Sequence, residues 1–218
     1  DIVAMKMLLY DLDLTERHID RHRRDAAATA RLTESPYALN IYAYCANSGL
    51  YQFANGGTLE DVITDHYEET LNASTTLQVK YAHQVARAIA TVHNIDAEGR
   101  PSMAHTDIMP NQFVSINGGH DFIINDFNRA RFIHQHQDNS DQLCPFYVSR
   151  NVGRFRSPEE FANDPETEQV DVYAMGNVFY AILTGTYPFE GEDRLKVTDY
   201  VLEGKRPLIP AAITNSTD

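Results

Sequence analysis

Ala104-His105-Thr106-Asp107-Ile108-Met109-Pro110-Asn111-Gln112, followed by Asp126-Phe127-Asn128, decides the fold. Between the two stretches, Phe113 to Ile116 and Phe122 to Ile124 flank Asn117-Gly118-Gly119, which reads as a β-hairpin. Its strands run antiparallel, so the residues entering and leaving it lie at the same end. Asp107 sits in the loop leading toward the hairpin and Asp126 follows its second strand. Spacing alone therefore predicts two carboxylates near one another at a strand end. Paired acids are also common on surfaces, so the downstream context matters. Ser157-Pro158-Glu159 comes next, then Asp171-Val172-Tyr173 and Gly176 inside the apolar run Val170 to Thr184. That order of motifs is too specific to be a chance pairing.

Working outward, Ile2 to Leu8 is a short apolar stretch whose only charge is Lys6, and it reads as a strand. Thr15 to Leu32 is charged and then alanine-rich, as a helix would be, and Ser35-Pro36 breaks it. Ala38 to Ala46 and Leu50 to Phe53 read as two more strands joined across Asn47-Ser48-Gly49. Asn55-Gly56-Gly57 is a connector and the best candidate boundary between a small first lobe and a larger second one. Thr58 to Ile63 is a short helix with Thr58 as its cap. Leu77, Tyr81, Val85, Ile89 and Val92 recur at helical spacing behind Ser74 and Thr75. Val170 to Thr184 is apolar nearly all round, which predicts a buried helix ended by Gly185.

The chain has 218 residues and a formal net charge of -13. It can bury a sizeable core. The charge argues against bulk affinity for nucleic acid, which depends on Lys and Arg neutralising phosphates. No apolar stretch is long enough to span a bilayer, and no signal-peptide pattern opens the chain. Cys45 and Cys144 form no CxxC, which fits reduced thiols in a cytoplasmic setting without excluding one disulfide. Asp1 leads directly into an apolar run, so the chain reads as an internal fragment of a longer protein.

The motif order resembles the catalytic domain of eukaryotic-type protein kinases, and the resemblance covers nearly the whole chain. It implies an α+β, protein-kinase-like bilobal fold. Residues 1–54 would form part of a small β-rich N-lobe with the third strand, first helix and hinge. Residues 55–218 would form a mainly helical C-lobe truncated at its C-terminal end. The Gly-rich loop would precede Asp1. Val3-Ala4-Met5-Lys6 resembles the VAIK motif, making Lys6 the cation that positions the α- and β-phosphates of ATP. The family's partner acid on the next helix falls at Asp25, an aspartate where glutamate is usual and one methylene shorter. A surface pairing of Asp25 with Arg21 is the alternative. Leu50 to Leu59 resembles the hinge. Tyr51 falls at the gatekeeper position, and backbone groups near Gln52 and Ala54 would bond the adenine edge.

The stretch around Asp107 resembles the catalytic loop HRDLKPxN, with Asp107 taking the proton of the substrate hydroxyl. His105 aligns with a structural histidine. Thr106 replaces an arginine that usually meets an activation-segment phosphate, so control by such a phosphate is expected to be weak. Met109 replaces a lysine and supplies no charge. Gln112 falls where an asparagine binds Mg2+, and Asn111 could substitute only if the loop shifted register. Asp126-Phe127-Asn128 resembles DFG, with Asp126 as a Mg2+ ligand, Phe127 packing under the first helix and Asn128 accommodating the turn at the glycine position. Ser157-Pro158-Glu159 resembles APE, and Glu159 is expected to lack its usual arginine partner. Ser140, Tyr147 and Ser149 are candidate phosphosites in the segment between. Asp171 would hold the catalytic loop through its backbone N–H groups, and Gly204-Lys205-Arg206-Pro207 resembles a GxRP stretch.

His18 with His22, and His134 with His136, read as solvated faces rather than metal sites. Glu159, Glu160, Asp164, Glu166 and Glu168 read as a solvated acidic loop. The resemblance thus implies an ATP- and Mg2+-dependent enzyme that phosphorylates a protein hydroxyl on Ser/Thr or Tyr. The substitutions at 25, 106, 109 and 112 keep open a pseudokinase that acts as a binding or allosteric module. A small-molecule phosphotransferase of the same fold ranks last, because SPE followed by the Asp171 helix is not expected there.

Overall fold

The computed structural model describes residues 2–8, 13–72, 74–116, 118–136, 143–149 and 151–211. Ser140 and Asn117 lie outside the described residues. Strand β1 (Val3–Met7) leads to helix α1 (Glu16–Arg31), then β2 (Ile41–Cys45) and β3 (Ser48–Gln52). The three strands form an antiparallel sheet in the order β1-β3-β2, with Lys6 opposite Gly49. The turn between β2 and β3 is tighter than the sequence suggests. Cys45 pairs with Ser48, so only Ala46 and Asn47 make the turn, and Ala46 adopts a φ of 49°. Continuous pairing down to Ser48 favours this two-residue connection over a three-residue one. Thr15 caps α1 by accepting the N–H of His18, and the end of the helix falls at Leu32.

Beyond the Asn55-Gly56-Gly57 connector helices outweigh strands: α2 (Leu59–Thr64), α3 (Tyr67–Thr70), α4 (Thr75–His93), α5 (Pro158–Ala162), α6 (Gln169–Thr184) and α7 (Arg194–Leu202). Thr58 and Asp61 form a reciprocal capping box on α2, and Ser74 caps α4. Tyr81, Val85, Ile89 and Val92 are buried along α4. They join Phe113, Phe122, Ile124, Phe127, Val178 and Ile182 in the main core. Helix α6 buries one stripe rather than its whole surface. Val172 and Leu183 stay exposed, because other helices pack on only part of it. Gly185 ends it with a φ of 70°.

The hairpin forms as expected from β5 (Phe113–Ile116) and β6 (Asp121–Ile124), with β4 (Met103–Ala104) and β7 (Arg131–Phe132) pairing beside it. A smaller cluster of Ala26, Leu39, Ile41, Tyr51 and Ile123 joins the three-stranded sheet to the hairpin. The connector is stitched to β5 by Gly56 N–H to Ser115 O at 3.1 Å and Ser115 N–H to Gly57 O at 2.8 Å. Cys45 and Cys144 are free thiols. Among the described residues, no helix is long and apolar enough to cross a membrane.

Candidate active site

Strand β1, helix α1 and the end of the hairpin bring Lys6, Asp25 and Asp126 together. Lys6 Nζ lies 2.9 Å from Asp25 Oδ2 and 2.5 Å from Asp126 Oδ1. Asp25 is 1% exposed, so it is not the surface partner of Arg21. Its other oxygen accepts the backbone N–H of Phe127 at 2.7 Å, and Tyr51 donates its hydroxyl to Oδ2 at 2.8 Å. The shorter acid thus reaches its lysine, because α1 sits close against the Phe127–Arg129 turn. Burial pulls the Lys6 ammonium down, but Asp25 and Asp126 outweigh it and hold its pKa above the ordinary value. Burial pushes Asp126 up, and Lys6 outweighs that in turn, leaving Asp126 below the usual carboxylate range. Both groups are charged at neutral pH.

Asp126 occupies left-handed backbone, φ 62° and ψ 69°. The sequence places that strain at Asn128, and the structure corrects it. Asn128 has no positive φ, and instead donates its side-chain N–H to Asp126 Oδ1 at 2.6 Å. Phe127 is fully buried against α1, with its ring edge-on to His105 at 5.0 Å between centroids.

Asp107 is anchored from beneath. The buried carboxylate of Asp171 accepts the backbone N–H groups of His105 at 2.7 Å and Thr106 at 2.8 Å. His93 supplies a third donor at 3.0 Å. Burial pushes Asp171 up, but His93 and the other donors hold it below the carboxylate norm. Two further bonds tie the Asp107 loop to the Asp126 turn. His105 Nε2 meets Asn125 O at 3.0 Å, and Thr106 Oγ1 donates to Arg129 O at 2.8 Å. Both carboxylates are therefore mounted at the same end of the hairpin. Thr106 itself has a φ of 60°. Gln112 is buried whereas Asn111 is exposed, and Gln112 O accepts the N–H of Asn125 at 2.9 Å. No register shift brings Asn111 inward.

The hinge expectation needs amending at Gln52. Its N–H is already engaged by Asn40 O at 2.9 Å, and its side-chain oxygen faces Asn40 at 3.3 Å. Ala54 is half-buried and packs against the cluster of Ala26, Leu39, Ile41, Tyr51 and Ile123. Two other sequence readings change. His22 is buried, not solvated, although no group of three or more His, Cys, Asp or Glu among the described residues could hold a metal. Glu160 and Glu166 leave the supposed solvated acidic loop for the interior. Arg17, Asp20, Arg21, Arg24, Arg129 and Arg131 line one hollow together with Val148 and Ser149, and Asp20 pairs with Arg24. Glu159 is exposed and has no ion pair among the described residues.

Sequence reasoning missed Arg156 and Arg129. Arg156 bonds Asp107, Thr106 O and Glu160, and Arg129 Nε lies 3.8 Å from Asp107 Oδ1. The four-residue spacing of Arg156 and Glu160 was the available signal. His93 gave none.

A sequence model described as the protein kinase domain matches residues 1–213. Serine/threonine-protein kinase PrkC of Bacillus subtilis is 26% identical over 213 residues, covering 94% of this chain and 30% of that protein. The serine/threonine-protein kinase H1 homolog of Danio rerio is 27% identical over 162 residues, covering 71% of this chain and 33% of that protein. The chain spans about a third or less of the length of the curated relatives it matches.

Proposed function

The chain belongs to the protein kinase family, and we propose that it carries the machinery for moving the γ-phosphoryl group of ATP to a protein hydroxyl. The observation that supports this best is Lys6 held between Asp25 and Asp126 at 2.9 and 2.5 Å. A binding module has no need to hold a buried carboxylate, a lysine and a second carboxylate in this register. In this reading residues 1–54 and 55–218 are the two lobes, joined at the Gly-Gly connector.

In this reading Lys6 contacts the α- and β-phosphates, and Asp25 orients it. Ala54 and its neighbours offer backbone and apolar surface to adenine, with Gln52 contributing no more than its carbonyl. The family uses ATP with Mg2+. Such an ion takes few protein oxygens and completes its shell from phosphates and water. The Lys6 and Asn128 contacts to Asp126 both fall on Oδ1, so Oδ2 fits that role, with the Gln112 amide oxygen as second donor. The ion would neutralise charge on the phosphates. Asp107 accepts the proton of the incoming hydroxyl. The oxygen of that hydroxyl forms a bond to the γ-phosphorus as the bond to the β-phosphate oxygen breaks, and ADP leaves with that electron pair.

The test is Mg2+-ATP binding by the full-length protein, with Asp126→Asn as the control. Binding that weakens sharply in the variant is expected. Equal binding by both proteins removes the metal role, and no binding by either removes the catalytic reading.

A further inference from the structure

Asp107 carries one negative charge, and the phosphoryl group that must approach it carries more. Nothing in its own loop offsets them, because Ile108 and Met109 are apolar and Thr106 is neutral. Two guanidiniums from farther along the chain do. Arg156 Nη2 donates to Asp107 Oδ1, and Arg129 Nε stands 3.8 Å from the same oxygen. Arg156 is the better fixed of the two. Its Nη1 donates to Thr106 O at 2.8 Å and to Glu160 Oε1 at 3.2 Å, and the residue is 8% exposed.

The local chain explains that fixity. Arg156 immediately precedes Ser157, the N-cap of α5. There Ser157 accepts the N–H of Glu160, and Glu160 reaches back to the N–H of Ser157 at 3.0 Å. One Glu160 oxygen therefore caps the helix while the other holds the guanidinium. Arg156, Asp107, Met109, Gly153 and Tyr187 then line a single cavity of about 320 Å³. Both guanidinium contacts fall on Oδ1 of Asp107, and Oδ2 accepts no hydrogen bond among the described residues.

We propose that Arg156 is a positioning residue for phosphoryl transfer. It holds the Asp107 carboxylate by one oxygen, leaves the other for the acceptor hydroxyl, and places the positive charge that position 109 does not provide. A fixed cation beside developing charge helps most when it need not reorganise, and Arg156 is already anchored at three points. The inference rests on the proposed function. It adds that the cation is delivered by the segment before α5, so catalytic competence depends on that segment being docked.

The test uses the full-length protein with ATP, reading both transfer to dephosphorylated casein and ATP hydrolysis without acceptor. Arg156→Met is expected to lower kcat at least about tenfold while KM for ATP stays within about twofold. Met109→Lys points a replacement charge into the same cavity, and in the Arg156→Met background it is expected to recover most of that loss. In the unaltered background it is expected to gain nothing, because the charge is already supplied. Thermal unfolding of each variant separates folding from catalysis. Unchanged or raised kcat in Arg156→Met overturns the proposal, the latter by making the contact an inhibitory latch. A folded Arg156→Met protein that Met109→Lys does not rescue also overturns it, by reducing Arg156 to a structural role. If Arg156→Met does not fold, Met109→Lys alone decides: a gain above about threefold overturns the proposal, and no gain sustains it. Should the unaltered protein neither phosphorylate casein nor hydrolyse ATP, the functional reading fails first and the inference falls with it.

Discussion

Tyr51 donates its hydroxyl to Asp25 Oδ2 across 2.8 Å, on the same oxygen that Lys6 approaches to 2.9 Å. Asp25 is buried, so each donor offsets part of its lost hydration. Tyr51→Phe removes one donor and keeps the ring that packs with Ile41 and Ile123. The expected cost is about 1.5–3 kcal/mol, the range for a hydrogen bond to a charged group. Urea unfolding measures it, and a variant as stable as the parent would show that the contact is incidental.

Asp171 satisfies two backbone N–H groups and His93 at once. Asp171→Ala leaves all three donors buried without an acceptor. A loss of about 3–5 kcal/mol is expected. Hydrogen exchange gives the sharper check. The His105 and Thr106 amides should exchange far faster in the variant, while those of α4 away from His93 change little.

Glu166 supplies a pH signature. Burial pushes its carboxyl up, against the pull of the Val148 N–H, and it reaches about 7 from an ordinary 4.5. The folded state therefore holds a proton that the unfolded chain has already released. Glu166 contributes full stability below about pH 4.5 and loses it as pH rises through about 7. A shift of that size corresponds to about 3 kcal/mol. Glu166→Gln should flatten this part of the stability profile between pH 5 and 8. Parallel profiles for the two proteins would contradict it.

The connector tolerates little bulk at Gly56. A Cβ there would lie 2.6 Å from Ser115 Oγ and 2.8 Å from the backbone nitrogen of Gly119. The serine can rotate, but the backbone nitrogen cannot move without the hairpin. Gly56→Ala should cost about 1–3 kcal/mol by overpacking. Calorimetry that finds no shift in Tm would mean that the connector is looser than its hydrogen bonds to β5 indicate.

The sequence makes legible what local pattern encodes. The hairpin, the Thr58 and Ser74 caps and the apolar face of α4 all follow from spacing and residue type. Lys6, Asp25 and Asp126 carry a recognisable motif, so their meeting is legible too. Arg156 and Arg129 are not, since their partner Asp107 is remote in sequence and no periodicity links them. Burial of Glu160 and Glu166 is hidden for a similar reason. An acidic run looks solvated until a cap or a long-range N–H draws single members inward. Asp126 rather than Asn128 takes the left-handed backbone, which no local pattern in the sequence signals.

Thr106 is β-branched and yet sits at positive φ. Such a backbone costs of order 1–3 kcal/mol, and it persists only while its surroundings enforce it. The loop is in that sense a loaded spring, with Asp171 as its catch. Release would not be graded. Loss of the catch would let the peptide relax toward more favourable backbone and loosen the neighbouring carboxylate. Heat or mild denaturant should then silence the protein in one abrupt step, before the helices around it have begun to melt.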